Sequence, residues 1–249
     1  MKISGLVITY NEEKNIKTCL ESMFLVCDEV IVIDSLSVDK TLEIARELGA
    51  KVYSQAFLGD GPQRTFGLQY CKNDWVLNLD ADEKLDLDAI ECIKKLNLDN
   101  LAYECYEFKR KNHLHQNWIK VAGWYPDYVR RLFNKNKTDF SNVKTHTKIK
   151  SNNFLRLNAN VIHYSFEDYS NMIEIMNKYS SWQAQSYFDD NKKVLWISPF
   201  LHGMMSFIKH FFIKRGFIAG VEGFNISLLN ALGSYFKYMK LYELYKYKK

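Results

Sequence analysis

The stretch EVIVIDSLSVDKTLEIARELGAKVYS, Glu29 to Ser54, decides the architecture. Glu29–Asp34 is a run of four β-branched residues closed at each end by a carboxylate, the pattern of a strand buried on both faces. Across Asp39–Leu48 the period changes: Leu42, Ile44, Ala45 and Leu48 fall on helical spacing, and Gly49 supplies the stop. Lys51–Ser54 is a strand again. Strand, helix and strand at this length imply two parallel strands joined by a right-handed crossover. On the N-terminal side, Ile3–Thr9 reads as a strand, and Ile16, Leu20 and Met23 give Glu13–Met23 helical spacing. On the C-terminal side come a helix over Gly61–Tyr70 with Pro62 in its first turn, a strand over Asp74–Leu79 and a helix over Leu85–Leu96. This alternation predicts an α/β fold, a mostly parallel sheet flanked by helices. Beyond Asn100 the pattern changes. Glu104–Lys111, Tyr128–Phe133, Val143–Ile149 and Asn158–Tyr164 read as strands without full helices between them, and Phe166–Phe188 reads as a long helix.

With 249 residues, 47% hydrophobic and 15% aromatic, the chain can build a substantial core. Its net charge of +5 is unevenly spread. Residues 192–249 carry 10 Lys/Arg against 2 Asp/Glu, while residues 1–191 carry 24 against 27. A basic rear suits nucleic acid or an anionic membrane. The basic residues are interleaved with an apolar, lipid-like face and the front is acidic, so no nucleic-acid partner is expected. The five cysteines, 19, 27, 71, 92 and 105, form no CxxC pair and read as buried thiols of a reducing compartment. Ile3–Thr9 is too short for a signal-peptide core, and Asn11-Glu12-Glu13-Lys14 follows at once, so a cytoplasmic location is expected.

In parallel α/β sheets ligands bind beyond the carboxyl ends of the strands. Three polar clusters fall there: Thr9-Tyr10-Asn11-Glu12, Asp34-Ser35-Leu36-Ser37 and Asp80-Ala81-Asp82-Glu83. Asp80 and Asp82, two apart at a strand exit, can point the same way. Two such carboxylates repel unless a cation stands near, and Mg²⁺ or Mn²⁺ takes one or two carboxylates together with substrate phosphates. The alternative is a solvated acidic loop capping the next helix. Asp34 is a turn residue or a hydrogen-bond partner of a nucleobase or ribose. Asp39 with Thr41 reads as a helix start. Arg64 is a phosphate clamp or a surface arginine. Asp127 follows Pro126 in a stretch with Trp118, Trp124 and Tyr125, side chains that suit sugar faces. It is either a general base or a structural partner of Arg130 or Arg131. His113 and His115 lack an evident third ligand and read as loop or strand residues. Neither a GxGxxG nor a GxxxxGK[ST] motif occurs.

The segments Thr9–Glu13, Val32–Thr41, Gln63-Arg64 and Leu79–Glu83 resemble the inverting family-2 glycosyltransferases of GT-A fold. Gly123–Asp127, Arg130–Phe133, His146, His163-Tyr164, Gly216-Phe217 and Gly223-Phe224 are similar to their lipopolysaccharide-core β-1,4-glucosyltransferase subgroup. The resemblance spans essentially the whole chain. It implies donor contacts from Thr9, Tyr10, Asn11, Glu12, Asp34, Arg64 and Asp80, a divalent cation (Mg²⁺ or Mn²⁺) on Asp82 with His146 close to it, and Asp127 as catalytic base. The implied donor is a nucleotide sugar, UDP-glucose, and the implied acceptor a lipid-anchored lipopolysaccharide-core saccharide. Another lipid-linked glycan or polyprenyl phosphate is the alternative acceptor, and a non-catalytic nucleotide-sugar-binding membrane protein the alternative class. Two departures stand out: Pro126-Asp127 replaces the family's common Glu-Asp, and His146-Thr147 replaces His-Glu.

The rear follows its own pattern. Met204, Met205, Phe207, Ile208, Phe211 and Phe212 share one arc of a helical wheel, with Ser206, Lys209 and His210 opposite. Such a helix either packs on the catalytic domain or lies on a bilayer surface. Four glycines and two asparagines between Gly216 and Phe236 argue against a spanning helix. The tail from Lys237 mixes 5 Lys with 4 Tyr, suited to anionic headgroups. The expectation is a catalytic domain over 1–191 and a membrane-associating helical extension over 192–249.

Overall fold

The computed structural model describes residues 2–99, 102–141 and 147–247. Along the chain run β1 (Ile3–Thr9), α1 (Ile16–Phe24), β2 (Glu29–Asp34), α2 (Thr41–Glu47), β3 (Lys51–Ser54), α3 (Asp60–Leu68), β4 (Trp75–Asp80), β5 (Glu83–Leu85), α4 (Leu87–Lys95), β6 (Cys105–Leu114), β7 (Asn117–Trp118), β8 (Asp127–Asn134), β9 (Phe154–Phe166), α5 (Tyr169–Asp189), α6 (Ser198–Ile208) and α7 (Gly220–Tyr247). They form two compact units: Met1–Lys111 with Asp127–His163, and Asn112–Pro126 with Tyr164–Lys249.

The first unit is the α/β body. Its strands follow the order β3-β2-β1-β4-β8-β6-β9-β5. β1 pairs in parallel with β2 and β4, and β2 with β3. β8 enters antiparallel to β4, and β6 antiparallel to β8. The unbroken apolar runs of the first strands have a direct cause: both sheet faces are covered. Successive side chains alternate, so Leu6, Ile31, Ile33 and Val76 join one core with Phe133, while Val7, Val30, Val32 and Leu77 join the other with Ile16, Leu20 and Met23 of α1. Burying each aliphatic side chain stabilises the fold by about 1.5–3 kcal/mol. α3 comes closest to the sheet at Gly67. A Cβ there would stand 2.5 Å from Leu6 Cδ1 and 2.9 Å from Ile33 Cγ1.

Several boundaries differ from expectation: α5 begins at Tyr169 rather than Phe166 because β9 runs on through Phe166, and the start of α4 also moves. The helix expected from Leu85 begins at Leu87, because Glu83–Leu85 pairs antiparallel with β9 and Asp86 then caps α4 by accepting the Ala89 N–H at 2.9 Å. Most of the strand expected over Val143–Ile149 lies outside the described residues; Ile149 itself forms a bridge with Phe140.

The second unit is mainly helical. Ala184 of α5 packs with Tyr238 and Leu241 of α7, and Gly203 of α6 lets that helix approach Tyr235 of α7. α6 ends at Ile208, and Lys209–Ile213 continues as a π turn, so Phe211 and Phe212 leave the expected wheel. The buried residues of α6 are Pro199 and Gly203, whereas Met204, Met205 and Phe212 are exposed. The face that packs is therefore the small one, because glycine gives the closest helix approach. After Arg215 in the left-handed region, a short 3₁₀ turn (Gly216–Ala219) meets α7 backbone to backbone: a Cβ on Gly223 would fall 1.8 Å from the Gly216 carbonyl oxygen. Among the described residues no helix is long and apolar enough to cross a membrane. All five cysteines are free.

Candidate active site at the carboxyl edge of the sheet

Parallel register brings the predicted residues together. Thr9 is the partner of Asp34, and Ile8 of Asp80, so the ends of β1, β2 and β4 share one edge. The loops that follow are laced to each other. Ser35 N–H donates to the Thr9 carbonyl, Asn11 N–H to Ser37 Oγ, Val38 N–H to Asn11 Oδ1, and Glu12 N–H to Thr41 Oγ1, all at 2.8–2.9 Å. Asn11 takes a left-handed φ of 53° to make this turn. The Glu12 carbonyl accepts the first amides of α1. Asp34 is buried and accepts from both the N–H and the hydroxyl of Ser37, the contacts of a turn residue. Asp39 accepts the N–H and hydroxyl of Thr41 at the start of α2. Two groups on this edge have chemistry to spare. The Thr9 hydroxyl is buried without a hydrogen-bond partner among the described residues, and the Tyr10 ring is 58% exposed.

Arg64 lies in α3 with its side chain buried, which removes the surface-arginine reading. Its Nε donates to Asp60 Oδ1 at 3.0 Å and its Nη2 to Asp80, while Nη1 is buried without a hydrogen-bond partner among the described residues. Asp80 is held from two sides, by Arg64 on Oδ1 and by Arg131 on Oδ2 at 2.7 Å. Burial pushes its carboxyl up, but the Arg131 and Arg64 guanidiniums outweigh that and hold it well below the usual carboxylate range. Glu83, its side chain fully buried, accepts from Arg131 and from Arg110 at 3.3 Å, and takes the Asp80 N–H at 3.2 Å. Arg110 in turn grips Asp127 Oδ2 through Nη2 at 2.7 Å and Nε at 2.9 Å. The result is one chain of ion pairs, Asp60–Arg64–Asp80–Arg131–Glu83–Arg110–Asp127.

The structural partner of Asp127 is therefore Arg110, not Arg130 or Arg131. Strand geometry explains the correction. Register places Arg110 directly across from Asp127 on β8, Arg130 turns to the carbonyls of Ile149 and Ser151, and Arg131 is taken by Asp80 and Glu83. Asp82 stands apart from this chain. Its Oδ2 lies 3.2 Å from His163 Nε2, and it keeps 28% of its side-chain exposure. Burial pulls the His163 pKa down, but the Asp82 charge outweighs it and raises the imidazole above its ordinary value.

These donors decide what a cation could use. Asp80 has both oxygens committed to guanidiniums. Asp82 and His163 offer one oxygen and one nitrogen at a common point, which fits a divalent ion that draws its other ligands from phosphate oxygens and water. Among the described residues no three His, Cys, Asp or Glu side chains gather into a closed metal cage. His146 lies outside the described residues; Thr147, which follows it, donates its N–H to Asp60 Oδ2 at 2.8 Å. His113 and His115 pack beside the rings of Tyr164 and Tyr169.

Glu83, Arg110 and His163 carry no site role in the sequence expectations, and Arg131, expected there only as a partner of Asp127, pairs instead with Asp80 and Glu83. Three of them sit inside quoted motifs. Arg110 has no local signal, since its place depends on the register between β6 and β8.

The sequence profile of Glycosyl transferase family 2 matches residues 4–162. A glycosyltransferase of Rickettsia bellii is 36% identical over 98% of this chain and 87% of its own length. The lipopolysaccharide core biosynthesis glycosyltransferase LpsC of Rhizobium meliloti is 24% identical over 98% of this chain and 93% of its own. Among solved structures, S. aureus TarS aligns over 100% of this chain and 92% of the solved chain, at 18% identity and a TM-score of 0.48. The profile covers well over half of the chain, and the Rickettsia relative nearly all of it: the protein belongs to glycosyl transferase family 2.

Proposed function

We propose that this glycosyltransferase moves a hexose, glucose from UDP-glucose, onto a lipid-anchored lipopolysaccharide-core saccharide with inversion at the anomeric carbon. The observation that carries this reading is the ion-pair chain, which links Arg64, whose Nη1 has no hydrogen-bond partner among the described residues, to a carboxylate suited to proton transfer, Asp127. The likeness to LpsC supports the acceptor class. In this reading Thr9, Tyr10, Asn11, Glu12 and Asp34 contact the nucleoside, with the Tyr10 ring free to stack. Arg64 Nη1 donates to the diphosphate, and Asp80 holds Arg64 in place. Asp82 and His163, together with His146, would hold Mg²⁺ or Mn²⁺, which neutralises charge on the departing diphosphate. The acceptor hydroxyl gives its proton to the Asp127 carboxylate as its oxygen bonds to the anomeric carbon and the bond to the diphosphate oxygen breaks. Arg110 fixes the orientation of that carboxylate.

Thermal shift with UDP-, GDP- and CMP-sugars, with and without Mn²⁺, tests the donor. Stabilisation grows with ligand concentration over Kd, so a UDP-sugar should raise Tm only when the ion is present. An equal response to all three nucleotides, or no ion dependence, counts against the reading.

We also propose that residues 192–249 form a membrane-associating extension of a catalytic region over 1–191, holding the enzyme on an anionic cytoplasmic bilayer face. Support comes from exposed apolar side chains beside cationic ones: Trp196, Met205, Ile213 and Ile218 are at least 60% exposed, with Lys209, Lys214 and Arg215 among them. Sedimentation with anionic vesicles should show salt-sensitive binding; none at low salt would overturn it.

A further inference from the structure

The helical unit holds a second polar cluster that the proposed transfer does not use. Near the end of α5, the Tyr187 ring is flanked by two ammonium groups, with Lys192 Nζ 3.8 Å and Lys237 Nζ 5.0 Å from its centre. Lys237 is also 5.0 Å from the Tyr238 ring, and the His202 imidazole of α6 stacks flat on Tyr238 with centroids 3.7 Å apart and planes at 4°. Three helices and the segment just after α5, which carries Lys192, thus bring two cations, a phenol and an imidazole to one spot. Burial pushes the Tyr187 phenol up, yet the Lys237 and Lys192 charges outweigh it and hold it below its ordinary value; burial and the same two charges push His202 down. Among the described residues, neither lysine has a carboxylate within ion-pair distance. Lys240, one turn along α7, makes the contrast. Its ammonium group is taken up by Asn177 O and Oδ1, Ser180 Oγ and Ser181 Oγ at 2.7–2.9 Å. Lys240 is a structural lysine, whereas Lys192 and Lys237 both hydrogen-bond the neutral Tyr187 phenol, which brings no negative charge to balance them.

We propose that Lys192, Lys237 and Tyr187 form a binding site for a phosphate group, with the two ammonium groups and the phenol O–H donating to it and His202 at its edge. A phosphate fits better than a carboxylate because two cations and a phenol supply more charge and donors than a single carboxylate takes up. The site stands independently of the nucleotide-sugar reading. Two sources share this chemistry, a soluble phosphate or phosphorylated sugar and a phospholipid headgroup.

The test uses the full chain and two probes: inorganic phosphate followed by calorimetry, and vesicles of phosphatidylcholine with or without phosphatidylglycerol. The variants are the pair Lys192→Gln with Lys237→Gln, and Lys178→Gln, a lysine over Trp182 elsewhere on α5. Wild type should bind at least one probe, the paired variant at least about tenfold more weakly, and Lys178→Gln within about twofold of wild type. Pair-dependent binding of phosphate assigns the site to soluble phosphates, and pair-dependent binding of anionic vesicles alone assigns it to headgroups. Binding of neither probe overturns the proposal, as does an equal loss in Lys178→Gln, which would reduce the effect to overall charge. Donor-induced thermal stabilisation is a separate readout, so the transferase reading and this site fail independently.

Discussion

Glu83 and Asp127 belong to the same ion-pair chain but differ in surroundings, and substitution should separate them. Glu83 has no exposed side-chain surface and balances two guanidiniums. Glu83→Gln leaves Arg131 and Arg110 short of a counter-charge in a dry site and should cost about 3–5 kcal/mol in urea denaturation, because an uncompensated buried charge is expensive. Asp127 is 32% exposed. Asp127→Asn should change stability by no more than about 1 kcal/mol, yet cut turnover by about 10²–10⁴, the usual loss for a general base. Normal turnover would move the base elsewhere. Asp80 gives the pH dependence. Its folded pKa lies below the ordinary 3.8, so the stabilisation is fully present above that value and is lost as pH falls toward the folded pKa. The Tm gap between wild type and Asp80→Asn should therefore be constant above about pH 5 and narrow below about pH 4. A gap that widens on acidification would contradict the assignment. In an equilibrium Mn²⁺ titration read by electron paramagnetic resonance, Asp82→Asn should bind the ion more weakly than Asp80→Asn, since only Asp82 stands outside the guanidinium chain.

α3 shows how packing at one end of a helix sets the chemistry further along it. Gly67 lets this helix lie against Leu6 and Ile33, and the same helix carries Arg64. Gly67→Ala should destabilise the protein by about 1–3 kcal/mol through overpacking, measured by chemical denaturation. At this scale the sequence was informative where structure is local. The unit Glu29–Ser54 is readable because apolar period, helix stop and strand length all lie within it, and the clustering of Thr9, Asp34 and Asp80 follows once the strands are taken as parallel. Glu83–Leu85 was not readable as a strand, because its partner is β9, nearly eighty residues on. Arg110 carries no sequence signal for the same reason: nothing near it announces that β8 will bring Asp127 opposite. For α6 the apolar spacing left both a packed and an outward-facing arc open, because hydrophobic spacing marks what can be buried, whereas Gly203 marks the face that is.

The whole chain separates charge as well as structure. Its basic, aromatic rear and acidic front make binding to an anionic surface depend on ionic strength. The proposed vesicle association should weaken markedly between low and physiological salt as the screening length shortens to about 8 Å. The course of the backbone between the two units has a practical consequence. It passes from one to the other after Lys111, before Asp127 and after His163, so all three junctions fall beside members of the site: Arg110, Asp127 and His163. No single cut in the chain yields one intact unit free of the other. A proteolytic nick at a junction would strike next to a residue of the site, so limited digestion followed in time should extinguish activity at the first cleavage rather than release an active fragment.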